Sequence, residues 1–287
     1  MPAGISVMPR WNSTRSCAIL SLMNICLFAP EELNAPLDLR DGRAEHLLTV
    51  LHKKEGDSFA AGIIDGAAGT ARIERIDARQ MTAPNGKAYK GGSLTFSFVP
   101  GGDGKPLYPL TMLIGFPRPI QLKRLLRDIA GLGVSSVCLC GTDLVEKSYL
   151  RSALYDEGEC RKMLLEGTVQ AASTHVPRVI IRPDLDSALE WVAGEAGEYE
   201  RTIRLAMDNV SAEDRLSSYL NGIKEVFWWP KVLTVSAIGS ERGWTDRERS
   251  LLSGAGFRLL SMGKRVLRTE TAATVSASLI LSAMGCL

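Results

Sequence analysis

At 287 residues, 45% hydrophobic and 23% charged, the chain has the composition of a core-forming globular protein, which excludes a disordered or fibrous one. A formal net charge of +2 excludes bulk basicity as the sign of a nucleic-acid partner, so any basic surface has to be local. No apolar run reaches the ~18 to 20 residues that a membrane helix needs. Arg10 and Arg15 precede an apolar run from Cys17 to Phe28, as in a secretory signal. Asn24 interrupts that run and no small-residue cleavage site follows it. Translation is therefore expected to start at Met23, with residues 1–22 a disordered or mis-assigned extension.

From Asn24 to about Pro100 the sequence predicts short strands around Ile25, Phe59 to Ile64, Ala71 to Ile76 and Leu94 to Val99. Asn85-Gly86 is a strong turn signal between two of them. One stretch, Ala44 to Lys54, carries Leu47, Leu48 and Leu51 at helical spacing. A helix among short strands suggests a small β-barrel. Gly101 to Pro109 reads as a linker. Its Gly104-Lys105 is no phosphate-binding loop, because Val99 stands where the first glycine belongs and Pro106 replaces the required Ser or Thr.

After Leu110 strands and helices alternate, the pattern of an α/β domain with a parallel sheet. Strands are expected at Thr111 to Gly115, Ser136 to Cys140, Val179 to Ile181, Thr202 to Met207, Leu233 to Ile238 and Arg258 to Leu260. Helices are expected at about Ile120 to Leu132, Cys160 to Ala172 and, last, Glu270 to Met284.

The six cysteines form no CxxC or zinc-like array. Cys138 and Cys140 share one face of a strand, a poor disulfide geometry that suits two small buried side chains in a reducing, cytoplasmic setting. His46 and His52 lie six apart, off the spacing of a shared helical metal face, and no metal site is expected.

Two strand–loop–helix units carry the strongest signal. The first, Thr234 to Glu248, is an apolar run ending at Gly239, then a loop with Gly243, then a helix start whose Thr245 and Glu248 fit a capping box. The second, Leu259 to Ala273, has Gly263, then Arg265 and Arg268, then an Ala-rich helix. Loops of this kind at the ends of parallel strands build a ligand crevice, and glycine lets backbone approach the ligand. There is no GxGxxG, which disfavours a Rossmann-type cofactor site.

The run Ile238-Gly239-Ser240-Glu241-Arg242-Gly243-Trp244-Thr245, followed by Gly263-Lys264-Arg265-Val266-Leu267-Arg268-Thr269-Glu270-Thr271-Ala272, resembles the bacterial 16S ribosomal RNA (uracil N3) methyltransferase family of the SPOUT superfamily. Weaker matches extend the resemblance over about residues 23 to 287: His46-Leu47-Leu48-Thr49-Val50-Leu51 with Gly56-Asp57, and Glu166…Gln170 with Val176-Pro177. The resemblance implies a SPOUT-type α/β domain with a C-terminal trefoil knot over 110–287, preceded by a PUA-like RNA-binding β-barrel over 23–100 and the linker 101–109. It implies S-adenosyl-L-methionine as cofactor, 16S rRNA or the 30S subunit as partner, and a homodimer with the last helix near the interface. The small-residue face Ala272, Ser276 and Ala283 would permit close packing there, or would face its own core.

Carried over residue by residue, the cofactor would be held by Ile238, Gly239, Ser240, Glu241 and Gly243 in the first loop. Met262, Gly263, Val266, Leu267 and Thr271 would hold it from the second. Removal of the uracil N3 proton puts charge on the ring carbonyls, and an arginine fork there would stabilise it. Arg268 is the first choice for that catalytic role and Arg265 the second; the bland alternative is phosphate binding or a pair with Glu270. Gln170, Arg242 and His46 are candidate RNA contacts. The chain departs from the family where Ser240 replaces a proline and Arg242 a glycine, and where Asp128 to Gly131 and Ala171 to Ser173 lose charged residues. Two other readings stand beside the main one: ribose 2′-O methylation, and RNA binding without catalysis.

Overall fold

The computed structural model describes residues 25–82, 88–146, 149, 155–228 and 231–287. The expected start at Met23, the extension 1–22 and the turn Asn85-Gly86 lie outside them. The N-terminal unit begins with β1 (Cys26–Phe28) and β2 (Leu37–Asp38). Next come a helical turn α1 (Gly42–Glu45), β3 (Ser58–Ile63), β4 (Ala68–Thr82) and β5 (Ala88–Gly102). They form a five-stranded sheet of order β1-β3-β4-β5-β2, antiparallel except for β1 against β3. Phe28, Leu47, Phe59, Ile73, Leu94 and Phe96 form its core.

The helix expected over Ala44 to Lys54 is shorter and starts earlier. Asp41 caps it by accepting from the Arg43 amide, and after Glu45 the chain widens into a π-type turn, His46–Val50. That wider winding breaks the expected spacing: Leu47 is buried, while Val50 and Leu51 face solvent. Arg43 braces the unit, binding Glu32, Asp41 and the Leu27 carbonyl, its guanidinium 4.7 Å from the Phe28 ring centre.

β5 runs through Gly101 and Gly102, and the next strand already begins at Tyr108, so only 103–107 connects the two units. The C-terminal unit comprises β6 (Tyr108–Gly115), α2 (Pro119–Leu132), β7 (Val134–Cys140), α3 (Glu157–Gln170), β8 (Arg178–Arg182) and α4 (Leu185–Ala196). It continues with β9 (Arg201–Met207), β10 (Asp214–Arg215), α5 (Leu216–Gly222), β11 (Val232–Ile238), α6 (Asp246–Gly254), β12 (Arg258–Ser261) and α7 (Thr269–Ala283). The strands expected in this unit are all present, within three residues at each end, whereas β4 and β5 of the first unit run six residues beyond the expected Ile76 and before the expected Leu94. The two-residue β10 has no pattern long enough to read.

Seven parallel strands in the order β10-β12-β9-β11-β6-β7-β8 are covered on both faces, the α/β architecture expected. α2, α3, α5 and α7 cover one face through Leu122, Leu126, Leu164, Leu220, Ala273 and Ile280. α4 and α6 cover the other through Leu185, Val192 and Leu252, and there Cys138 and Cys140 are buried together. Burial pushes the Cys138 thiol up to about 12 and the Cys140 thiol well above its ordinary value. Ala272 and Ser276 of α7 turn inward, where the Ser276 hydroxyl lies 2.7 Å from that of Ser236 on β11. The face read as a possible dimer contact therefore packs on its own sheet.

Asp65 joins the units. Its amide donates to the Thr174 carbonyl, and its carboxylate accepts from the Val176 amide and pairs with Arg161 at 2.9 Å.

Candidate active site

From β6 the chain steps outward through β7 to β8, then returns to the other side of β6 for β9 and β11. At such a reversal the loops leaving the strand C-termini diverge and open a crevice. Three of those loops meet with almost no spare volume. A Cβ on Gly115, at the end of β6, would sit 2.6 Å from the Ser240 amide nitrogen and 2.7 Å from Thr142 Cγ2. Only glycine lets β6 end there.

The loop after β11 is a tight turn. Ser240 and Gly243 form a bridge, the Gly243 amide donates to the Ser240 carbonyl at 2.9 Å, and Gly243 adopts φ +71°. Glu241 and Arg242 occupy the exposed tip. The Glu241 carboxylate accepts from the Arg118 amide at 2.8 Å, with the Arg118 guanidinium 3.7 Å away. The turn is thus tied to the start of α2.

Its other side is tied to the loop after β7. The buried Ser240 hydroxyl accepts from Thr142 at 2.9 Å. Glu248, fully buried, accepts from the Asp143 amide at 2.9 Å and from the Thr245 amide at 2.8 Å. The Thr245 hydroxyl donates to Asp143 at 2.7 Å, and Arg247 bridges Asp143 and Asp186. The capping box read from Thr245 and Glu248 is present, and it also reaches across the crevice wall. Trp244 is buried, its indole N–H donating to the Met207 carbonyl at 3.0 Å. Just beyond, Asp208 accepts from the Val210 and Ser211 amides and pairs with Arg249.

The loop after β12 is open. Gly263 has φ +123° with no atom within 4 Å of where a Cβ would lie, and Gly243 has the same free space. Arg265, Val266 and Arg268 are exposed. Among the described residues neither the Arg265 nor the Arg268 guanidinium has a hydrogen bond or ion pair, and the suggested pair with Glu270 is absent, the Arg268 carbonyl instead accepting from the Ala272 amide at 2.8 Å. Glu270 instead lies nearly buried in the first turn of α7, where helix dipole and amide groups favour a carboxylate. The Thr269 hydroxyl reaches the Gly239 carbonyl at 3.5 Å, so α7 begins against the loop after β11.

A profile of the RNA methyltransferase domain family matches residues 104–281, the whole of this sheet and its loops. The ribosomal RNA small subunit methyltransferase E of Treponema pallidum (strain Nichols) is 38% identical over 263 residues, 91% of either chain. The chain belongs to that methyltransferase family. Its fold recurs in a probable rRNA-methyltransferase from Porphyromonas gingivalis, with TM-score 0.68 and 19% identity over 92% of this chain and 99% of that one. It recurs also in a ribosomal RNA small subunit methyltransferase E from Neisseria gonorrhoeae bound to S-adenosyl methionine, with TM-score 0.61 and 19% identity over 91% and 97% of the two chains.

Of the residues singled out from sequence, Gly239, Glu241 and Gly243 share one turn, and Met262, Gly263, Val266 and Leu267 the other loop. Ile238 and Ser240 are buried, so they can reach a ligand only through their backbone. Thr271 is exposed on the first turn of α7. His46 and Gln170 come together elsewhere, in a cavity of about 960 Å³ between the N-terminal sheet and α3 that Lys53, Phe59 and Arg127 also line. This cavity is separate from the loops after β11 and β12; a smaller one of about 320 Å³ opens beside Met262 and Gly263. Sequence reasoning missed Arg118, Thr142, Asp143, Asp208 and Arg249. Arg118-Pro119 at a helix start was a usable signal. The other four have meaning only across loops far apart in sequence.

Proposed function

We propose that the chain methylates N3 of a uridine in 16S ribosomal RNA. The observation that carries this reading is the pair of exposed guanidiniums, Arg265 and Arg268, without partners among the described residues, beside two left-handed glycine turns with room for a ligand. The name of the Treponema relative supports a small-subunit rRNA substrate, and the Neisseria structure supports the methyl donor.

S-adenosyl-L-methionine supplies an electrophilic methyl group on a sulfonium. The residues present fit it: Gly243 and Gly263 leave space that any side chain would fill, and the Gly263 amide and the carbonyls of both can serve adenine and ribose. Arg118 and the Thr142–Asp143–Glu248 network fix the first turn before ligand arrives, so its donors need not reorganise. Arg268, the residue just before α7, would fork onto the uracil carbonyls. Its positive charge stabilises the ring as the N3 proton leaves and orients N3 toward the methyl group. Arg265 assists, or holds an adjoining phosphate.

The same reading gives the C-terminal unit a trefoil knot, the N-terminal sheet a PUA-like barrel, and the protein a homodimeric state. The contact of Thr269 with Gly239 supports the knot, since it presses the last helix against the preceding strand's loop. The meeting of His46 and Gln170 in the 960 Å³ cleft supports an RNA contact there. Arg242, at the tip of the first turn, would meet RNA from the crevice side.

The test is transfer of labelled methyl to 30S subunits lacking the modification, with nucleosides resolved after digestion. Label in 3-methyluridine, reduced at least a hundredfold by Arg268→Ala, is the expected result. Label in a 2′-O-methyl nucleoside, or none despite intact folding, would overturn the proposal.

A further inference from the structure

A methyl group can settle on N3 of a uridine only if the N3 proton leaves, and the crevice holds few groups able to receive it. All three histidines lie elsewhere. His46 and His52 belong to the N-terminal unit, and His175 sits where the units join, its Nε2 2.8 Å from the Asp103 carbonyl. Carboxylates remain. On the loops at this edge of the sheet, Asp143 accepts from Thr245 and Arg247, and Asp208 from the Val210 and Ser211 amides and Arg249. Glu241 accepts from the Arg118 amide, and Glu248 from the Asp143 and Thr245 amides. Each such donor favours the ionised form and weakens that carboxylate as a proton acceptor.

Glu270 differs. It is only 9% exposed, yet among the described residues no donor reaches its carboxylate. Neither of its oxygens is sealed from solvent. Such a group costs stability, and one retained beside a ligand crevice marks a place for chemistry. Its place in the helix aims it. Helical side chains lean toward the helix N-terminus, so one in the first turn reaches back past the helix start. Here that start is exposed Arg268 and then Thr269, whose hydroxyl lies 3.5 Å from the Gly239 carbonyl of the first glycine turn.

We propose that Glu270 is the catalytic base, accepting the N3 proton of the target uridine while Arg268 holds the ring carbonyls. This rests on the uridine N3 reading above and supplies the proton acceptor it lacks. In the step the N–H bond breaks toward a Glu270 oxygen, which becomes a carboxylic acid. The electron pair left on N3 forms the bond to the methyl carbon. The carbon–sulfur bond breaks with its pair going to sulfur, so a sulfonium becomes a neutral thioether. Charge balances, since carboxylate and sulfonium give acid and thioether, and water then takes the proton from Glu270.

Glu270→Gln keeps the shape and removes the acceptor. With 30S subunits lacking the modification, the expected result is kcat lowered at least about a hundredfold. KM for the subunits, and S-adenosylhomocysteine affinity by calorimetry, should stay within about threefold of wild type. A second substrate isolates the proton. Subunits reconstituted with 5-fluorouridine in their 16S rRNA carry a more acidic N3, so less is asked of the base and the defect should shrink about tenfold. Wild-type kcat in the variant, or a defect undiminished on the fluorinated substrate, would overturn the assignment. So would loss of S-adenosylhomocysteine affinity, which would give Glu270 to the cofactor instead. If the wild type labels 3-methyluridine and the variant matches it, only the base is lost; if the wild type labels none, the uridine N3 reading falls with it.

Discussion

Replacing Arg249 by methionine removes a single charge from the wall of the crevice and leaves its carboxylate partner behind. The Asp208 side chain is 3% exposed and that of Arg249 13%. The guanidinium makes three contacts of 3.2 Å to the two carboxylate oxygens. Truncating one member of a buried pair costs about 3 to 5 kcal/mol, because the other is left as an uncompensated charge. The lower end applies here, since the Val210 and Ser211 amides still donate to Asp208. With an unfolding entropy near 0.6 kcal/mol/K for 287 residues, about 3 kcal/mol lowers Tm by about 5 °C. Differential scanning calorimetry at pH 7 measures this directly. The double variant Asp208→Asn, Arg249→Met should recover about 1 to 2 kcal/mol of the loss, as coupled neighbours do. A single-variant effect below about 0.5 kcal/mol, the scale of a surface pair, would refute the reasoning, as would strict additivity in the double variant.

Thr142→Val removes the donor to Ser240 and should weaken S-adenosylhomocysteine binding about tenfold, by about 1.4 kcal/mol, while Thr142→Ser restores it; equal affinity in all three proteins would exclude a role for this hydrogen bond. Arg43 holds the Glu32 and Asp41 carboxyls below the usual carboxylate range, chiefly by hydrogen bonding. Because these folded-state values are depressed, their contribution is complete above the ordinary carboxylate pKa and fades as pH falls through and below it. Arg43→Ala should therefore lose about 1 to 2 kcal/mol at pH 7 and show a flatter loss between about pH 4.5 and 3; parallel urea-derived stability curves for the two proteins would contradict this. Burial raises the thiols of Cys138, Cys140 and Cys160, so at pH 8.5 iodoacetamide should label half-buried Cys286 before any of them, as read by peptide mass spectrometry.

Where elements were legible in the sequence, the cause was periodicity. The β11 run Leu233 to Ile238 is uncharged throughout, its only polar side chains the small Thr234 and Ser236, because both faces of a central parallel strand are covered, and that pattern is local. The capping box at Thr245 and Glu248 spans four residues and was equally legible. The helix after Ala44 was misjudged at its end because a π-type turn changes the register that helical spacing assumes. The far end of β4 was hidden for a different reason: Ala78 to Thr82 are all exposed, so that stretch has no buried face and writes no alternation.

The sequence by itself determined the alternation of strands and helices, the glycines at the two turns, and the arginines that follow Gly263. Each is a property of neighbours in the chain, set by backbone sterics and side-chain spacing. Only the tertiary structure decided that Arg118 meets Glu241 across 123 positions and Thr142 meets Ser240 across 98. It alone decided that Ser276 faces Ser236 within its own core. Those contacts depend on strand order, and strand order follows from burying both faces of one sheet at once, a condition that no local stretch of sequence contains.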